Sequence, residues 1–444
     1  MEGSSEDPYD IENLFTPLLI SMGQTQENDL PPSPDPCCIY RVPEPVRCVN
    51  EKAYTPQLVS IGPLHHGKEG LEEMEGHKRR YLQYFLERTG VSEKDYVTKI
   101  KGKEAELRSC YAHTIEFSSE KFVEIILVDA AFIIELLLRG DGEHIKPDSN
   151  DRIFYKPGFI NFMVPDMLLL ENQLPFFILE DLFSWTPKSE EDLLPIADQV
   201  PATKLSVLGL SYEFCKKSTG FYMEKDNWEC PSSKVHHFVD LVRTLHLPTA
   251  KGNSKNGEQL ELLGIPTLTK LHRAGVKFRP VRPSENLFDI RFTDQDGILK
   301  IPHLIIDDDT ELVLRNLIAF EQCHCTPNSY FFSDYIILID HLVNTPNDVE
   351  LLVKEEIVEN LLGDNNEVST LINRLCKGVV FDRDEFSYAK LTKDLDNYCK
   401  NPWNKWMADL KQTYFDTPWK IISFIVATCV IVLTITQMAW TFTH

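Results

Sequence analysis

From Ile421 to Met438 the chain reads IISFIVATCVIVLTITQM, without one charged side chain. Trp419 and Trp440 flank this run 21 positions apart. At the ~1.5 Å rise of an α-helix that separation is about 32 Å, which matches the hydrocarbon thickness of a bilayer. Tryptophans belong at the two edges of such a span. The pattern predicts a transmembrane helix over 419–440, anchored through Trp419, Ile421, Phe424, Val432 and Trp440. Lys400, Lys405, Lys411 and Lys420 precede the run and no Lys or Arg follows it. The positive-inside bias then puts the body on the cytosolic side of a single-pass, tail-anchored chain, with the plasma membrane as the expected site.

At the other end, residues 1–35 carry eight acids and no Lys or Arg. A signal peptide needs a basic start, so this is not one. An acidic leader without fixed structure is expected, broken by an apolar patch from Ile11 to Met22 that is free to dock on a partner or on the body. The whole chain has 444 residues, 43% of them hydrophobic, and a formal net charge of -23. It can bury a core, and it does not suit nucleic acid, whose capture needs clustered Lys and Arg. The eleven cysteines have no disulfide-framework spacing, and no Asn-X-Ser/Thr acceptor occurs, which together point to reduced thiols facing the cytosol.

Between the ends, Phe122 to Arg139 is apolar nearly all round but contains Glu124, Asp129 and Glu135. Carboxylates are costly in lipid, so this reads as the central helix of a globular body. Met163 to Phe183 reads as a second core helix, kinked near Glu171 by Pro175. Thr345-Pro346-Asn347-Asp348 is a helix start, with Gly363 as its stop. Asp364 with Glu367 resembles a capping box before Val368, Leu371, Ile372 and Leu375. Leu287 to Ile306 alternates around Asp296-Gly297 and predicts a small hairpin, with Pro302 confining its second strand to an edge. Thr186 to Thr203 and Pro248 to Gln259 read as linkers, so the body divides into 36–255 and 256–418.

Few residues suit chemistry. His65 and His66, with Glu72, Glu73, Glu75 and His77, offer metal-ligating side chains, but no HExxH spacing sets two of them on one helical face, and packing or capping is the simpler role. Glu171-Asn172-Gln173 and Glu321-Gln322 are polar islands in apolar helices. Buried glutamates can form an acid and base pair; a structural polar network accounts for the same residues. His236, His237 and His246 read as packing residues, and Cys323-x-Cys325 lacks the second pair of a zinc site. There is no G-x-S-x-G elbow, Walker loop, G-x-G-x-x-G or kinase signature.

The string IYRVPEPVRCVNEKAYTPQLVSIGP from Ile39, followed by LHHG and MEGHKRRYL, resembles the opening signature of the plant family called domain of unknown function 247. LVDAAFIIELL, MLLLENQLPFFILE, LHRAGVKF, NLIAFEQC, NTPNDVELL and YFDTPWKIIS follow in the family's order, from about residue 38 to 440. Where that family usually has Gly-Cys, this chain has Ala130-Ala131, so no thiol acts there. The resemblance implies a mostly helical plant protein with a C-terminal anchor and no assigned enzymatic activity. Some grass members sit at the self-incompatibility loci as pollen-side determinants, and others are linked to defence or development.

The expectation is therefore a mostly α-helical, multi-element body with a small β-hairpin and one C-terminal transmembrane helix. Its expected role is recognition or signalling through a protein partner or another copy of the family. No catalytic, cofactor or metal site is assigned. Glu171, Asn172, Gln173, Glu321 and Gln322 form the structural polar network. The competing reading is a membrane-bound hydrolase using the buried Glu and His residues.

Overall fold

The structure, a computed structural model, describes residues 37–140, 145, 151–155, 158–184, 206–218, 234–248, 265–281, 286–402, 406 and 418–443. The acidic leader 1–35, the linker 186–203, residues 249–259 of the second linker and the boundary at 255 lie outside the described residues.

The described chain opens with an irregular segment holding only α1 (Glu44–Arg47) and a 3-10 turn at Glu51–Tyr54. Helices α2 (Glu72–Thr89), α3 (Glu93–Gly102) and α4 (Glu104–Ser109) follow. Gly90, in the left-handed region at φ 65°, ends α2, and the Ser92 hydroxyl caps α3 by accepting from the Asp95 N–H. The next helix, α5 (Ser119–Gly140), is the expected central one: it is buried from Phe122 to Arg139 except at Glu124. A helix apolar on every face must be enclosed, and α2, α3, α8 and α9 pack around it. Three of its four acids are paired with cations. Glu124, at the rim, meets Arg79 at 2.6 Å, Asp129 meets Lys78 at 2.6 Å, and Glu135 meets Arg88 at 2.7 Å and also Arg139.

After α6 (Arg152–Tyr155) come α7 (Phe159–Met167) and α8 (Phe176–Ser184). The single kinked helix expected over Met163 to Phe183 is thus two helices with a break at 168–175. The cause is visible. Pro175 removes a backbone donor, and the side chains of Asn172 and Gln173 take the carbonyls of Asp166, Met167 and Leu169 that a continuing helix would use. Helices α9 (Val207–Ser218), α10 (Phe238–His246) and α11 (Leu268–Arg273) lead into the β structure.

Strands β1 (Lys277–Val281), β2 (Arg291–Thr293) and β3 (Ile298–Pro302) form one sheet in the order β1-β3-β2. The β2–β3 pair is the expected hairpin, antiparallel with Phe292 opposite Leu299 and turned at Gly297. Its second strand is central and not at an edge, because β1 adds in parallel on the other side. Pro302 is tolerated as the last residue of β3, where its missing donor interrupts no further rung. β4 (Leu304–Ile306) pairs in parallel with a later strand, β5 (Val358–Asn360).

The remaining helices are α12 (Thr310–His324), α13 (Phe331–Leu342), α14 (Pro346–Lys354), α15 (Asn365–Leu375), α16 (Ala389–Lys400) and α17 (Pro418–Thr443). Thr345 and Asp348 form a capping box at α14. That helix ends at Lys354, and Gly363, with φ 86°, turns the chain between β5 and α15 instead of stopping α14. Val368, Leu371, Ile372 and Leu375 are buried on α15, and Asp364 caps it.

The transmembrane helix expected over 419–440 is not supported. Among the described residues no helix is long and apolar enough to cross a membrane. The side chains described on α17 are those of residue 422 and of residues 425–440. Thr434, Thr436 and Gln437 interrupt its apolar character. Val432 and Trp440 are exposed, while the side chains of Trp419, Ile421 and Phe424 lie outside those described.

Candidate functional site

An irregular backbone that is buried must find partners for its N–H and C=O groups outside regular secondary structure. Residues 38–65 pose this problem: Cys38, Ile39, Val42, Ala53, Tyr54, Val59, Ser60 and Ile61 are all buried. Side chains distant in sequence solve it. Glu171 accepts from the Val42 N–H at 2.9 Å, and Asp166 accepts from the N–H groups of Gln57, Leu58 and Val59 at 2.9, 2.6 and 2.8 Å. Asn172 accepts from the Ile61 N–H and donates to the Val59 carbonyl; Asp129 accepts from the Gly62 N–H. Lys78 donates to the Ser60 carbonyl at 2.7 Å, and Asn316 donates to that of Ala53 at 2.7 Å.

Gly62 fits this clasp for a steric reason. It has φ 72°, and a Cβ there would sit 2.7 Å from the Gln173 carbonyl oxygen. A side chain would clash with the break that supplies the clasp.

The break 168–175 also reaches the second half of the fold. Leu170 donates to Asn316 of α12, and Gln173 accepts from the N–H of Phe238, the first residue of α10. Farther along α10, Arg243 donates to Glu321 of α12 at 3.3 Å. Glu321 in turn accepts from the first N–H groups of α13, those of Phe331, Phe332 and Ser333, at 2.9, 3.1 and 2.9 Å, and from the Ser333 hydroxyl. Tyr330, at the N-cap, supplies no side-chain cap. A carboxylate from another helix performs that task.

Electrostatics follow from burial and donors. Burial pushes the Asp129 carboxyl up to about 6 against the pull of Lys78. Burial likewise raises Glu321 and Asp166 despite their donors. At Glu171 burial acts upward too, but the His65 hydrogen bond, the Val42 N–H and Arg47 outweigh it and hold the carboxyl below its ordinary value.

His237 is the acid-sensitive member. Its Nδ1 accepts from the Asp240 N–H at 3.3 Å, and its Nε2 meets the Cys38 carbonyl at 2.9 Å. Those partners demand the neutral ring with its proton on Nε2. Burial lowers the imidazole from 6.5 to about 4. The unfolded ring binds a proton first as the pH falls, so the stabilisation is complete above 6.5 and is lost on the way down to about 4. The loss is on the order of 3 kcal/mol. Urea midpoints measured between these pH values should fall steeply in the natural chain and less in His237→Gln. Equal slopes would remove His237 from the account.

Glu171, Asn172, Gln173 and Glu321 lie among these buried hydrogen bonds. Gln322 does not; it is partly exposed and donates to the Val380 carbonyl. His65 is placed against Glu171 at 3.1 Å, and His66 packs edge-on to Phe117. Among the described residues no group of three or more His, Cys, Asp or Glu is placed to hold a metal ion. Sequence reasoning missed Asp166, Lys78, Asn316 and Arg243. Asp166 in MVPDML was visible as a lone polar residue in an apolar run, and Arg243 in DLVRTL and Asn316 in VLRNLIAF as polar residues in mostly apolar stretches, whereas Lys78 sits among charged neighbours and carries no local signal.

The clasp joins the segment from Ile39, the α5 block, the ENQ break and the start of α12, which defines a helical body built from interlocking, sequence-distant blocks. A family model described as a plant protein of unknown function matches residues 39–433, and the chain belongs to that family, domain of unknown function 247. It is similar to the UPF0481 protein At3g47200 of Arabidopsis thaliana, 30% identical over 428 residues covering 90% of this chain and 85% of that one. A second UPF0481 protein of the same plant, At3g02645, is 24% identical over 480 residues, covering 90% and 89%. No solved structure matches the chain.

Proposed function

We propose that the chain acts by binding a protein partner and does not turn over a substrate. The observation that supports this most is the state of the two carboxylates on which a hydrolase would depend. Glu171 and Glu321 are both 0% exposed, and their oxygens are occupied by backbone N–H groups, Arg47, His65, Arg243 and Ser333. A general acid or base needs a lone pair or proton within reach of substrate. The opening of about 220 Å³ between α2, α3 and α5 is lined by Arg79, Leu82, Val97, Lys101 and Val123 among others, and by neither carboxylate.

The net charge of -23 favours a partner with a basic surface, met faster at low salt. All ten described cysteines are free thiols, which suits a reducing compartment. Self-recognition of the kind assigned to grass relatives is a finer reading that family membership alone supports; clustered surface variation among alleles is its test.

The purified full chain is expected to leave ester, peptide, glycoside and phosphate-ester substrates unchanged. It is also expected to hold a partner, crosslinked from plant tissue and then purified, in a saturable complex that weakens as salt is raised. Turnover by the natural chain that disappears in a folded Glu171→Gln or Glu321→Gln variant would overturn the proposal.

A further inference from the structure

The two ends of the irregular segment's first contact are both cysteines. Ile39 and Tyr111 form an isolated parallel bridge: the Ile39 N–H donates to the Cys110 carbonyl at 2.9 Å, and the Ala112 N–H donates to the Ile39 carbonyl at 2.9 Å. Cys38 and Cys110 each precede a bridge residue, so their backbones stand opposite one another beside it. The Cys38 N–H also donates to the Cys110 carbonyl, at 3.0 Å. Both residues are buried, at 1% and 4% exposure, and the Cys110 Sγ donates to the Glu106 carbonyl at 3.4 Å.

We propose that Cys38 and Cys110 are a dithiol that closes to an intramolecular disulfide by exchange with a low-molecular-weight disulfide such as oxidised glutathione. Closure staples the start of the clasped segment to the turn after α4.

The two sulfurs have different roles. The neighbouring Cys38 lowers the Cys110 thiol below its ordinary value against the opposing effect of burial, while Cys110 and burial raise Cys38. Cys110 is thus the attacking thiolate. It displaces one glutathione thiolate from oxidised glutathione, and the leaving sulfur takes the electron pair of the broken S–S bond. Cys38, giving its proton to solvent, then attacks the Cys110 sulfur of the mixed disulfide and releases the second glutathione. Two thiols are oxidised and one glutathione disulfide is reduced to two thiols. Because both residues are buried, exchange waits for the bridge to open locally, which few hydrogen bonds resist. Cys38 is held there by His237 on its carbonyl.

Peptide mapping tests this on the full chain. Trypsin leaves one peptide ending at Arg41 that contains both Cys37 and Cys38, and one from Ser109 to Lys121 that contains Cys110. After incubation with oxidised glutathione, these two should be recovered linked, about 2 Da lighter than the sum of the free thiol peptides. The link should persist in Cys37→Ser and vanish in Cys110→Ser. The oxidised natural chain should melt several degrees above the reduced chain. A glutathione adduct that stays on Cys110, a link from Cys37 to Cys110 or to Cys323, or a chain that keeps both thiols under these conditions would overturn the proposal. The natural chain and Cys37→Ser decide the matter even if Cys110→Ser fails to fold.

Discussion

Glu321→Ala is expected to destabilise the chain by about 3–5 kcal/mol, the range for removing one partner of a buried ion pair. Three consecutive N–H groups at the start of α13, the Ser333 hydroxyl and the Arg243 Nε all face this one carboxylate. Its removal strands them away from water, and Arg243, whose side chain is only 8% exposed, keeps an uncompensated charge. Glu321→Gln should cost less, about 1–3 kcal/mol, since one oxygen is retained while the new amide hydrogens face donors. Urea denaturation followed by circular dichroism gives both values from the midpoint at constant slope. An alanine variant within about 1 kcal/mol of the natural chain would mean that water or a neighbour already serves these donors.

The second large effect is at Glu171. Its replacement by alanine leaves the Val42 N–H, the Arg47 guanidinium and His65 without their shared acceptor. The expected loss is again about 3–5 kcal/mol, reduced toward the lower figure because part of Arg47 can turn to solvent. A cycle with Arg47→Ala should return a coupling of about 1–3 kcal/mol; additive single losses would show that the pair contributes nothing of its own. Acid also separates this site from His237. The Glu171 carboxyl is held below its ordinary 4.5, so its contribution is complete above that pH and is lost below it. The His237 contribution is already draining from 6.5.

Both effects rest on one arrangement. The clasped segment has almost no regular structure of its own, yet it is buried without a break from Ala53 to Pro56 and from Val59 to Pro63. Its conformation depends on carboxylates and amides donated from α5, α7, the break at 168–175 and α12. A change at any of these is therefore felt by the whole segment, and the Cys38–Cys110 contact lies at its leading end.

Much of the secondary structure was legible from local pattern. The enclosed helix around Asp129, the start of α14 at Thr345, the buried stripe from Val368 to Leu375 and the β2–β3 hairpin all follow from periodicity and capping, which neighbours in sequence decide. The continuous helix expected through Glu171 fails because Pro175 and the side chains of Asn172 and Gln173 end it, and the stop expected at Gly363 fails because Glu356, at φ 56°, already turns the chain after Lys354. The apolar run near the C-terminus reads as a span from its hydropathy and its flanking tryptophans, but among the described residues no helix is long and apolar enough to cross a membrane.

The polar islands mark the limit of local reading. Glu171-Asn172-Gln173 was conspicuous as an island, but its purpose was not, since each partner lies elsewhere in the chain: Val42 is 129 positions from Glu171, and Ile61 is 111 from Asn172. Residue order by itself determined where helices and turns form and which faces are apolar, because those depend on spacings of a few residues. Tertiary structure alone decided which backbone donors the buried carboxylates serve, which strand lies in the middle of the sheet and that Cys38 meets Cys110. Desolvation makes an unpartnered buried group costly, and only the folded chain determines which groups are buried together.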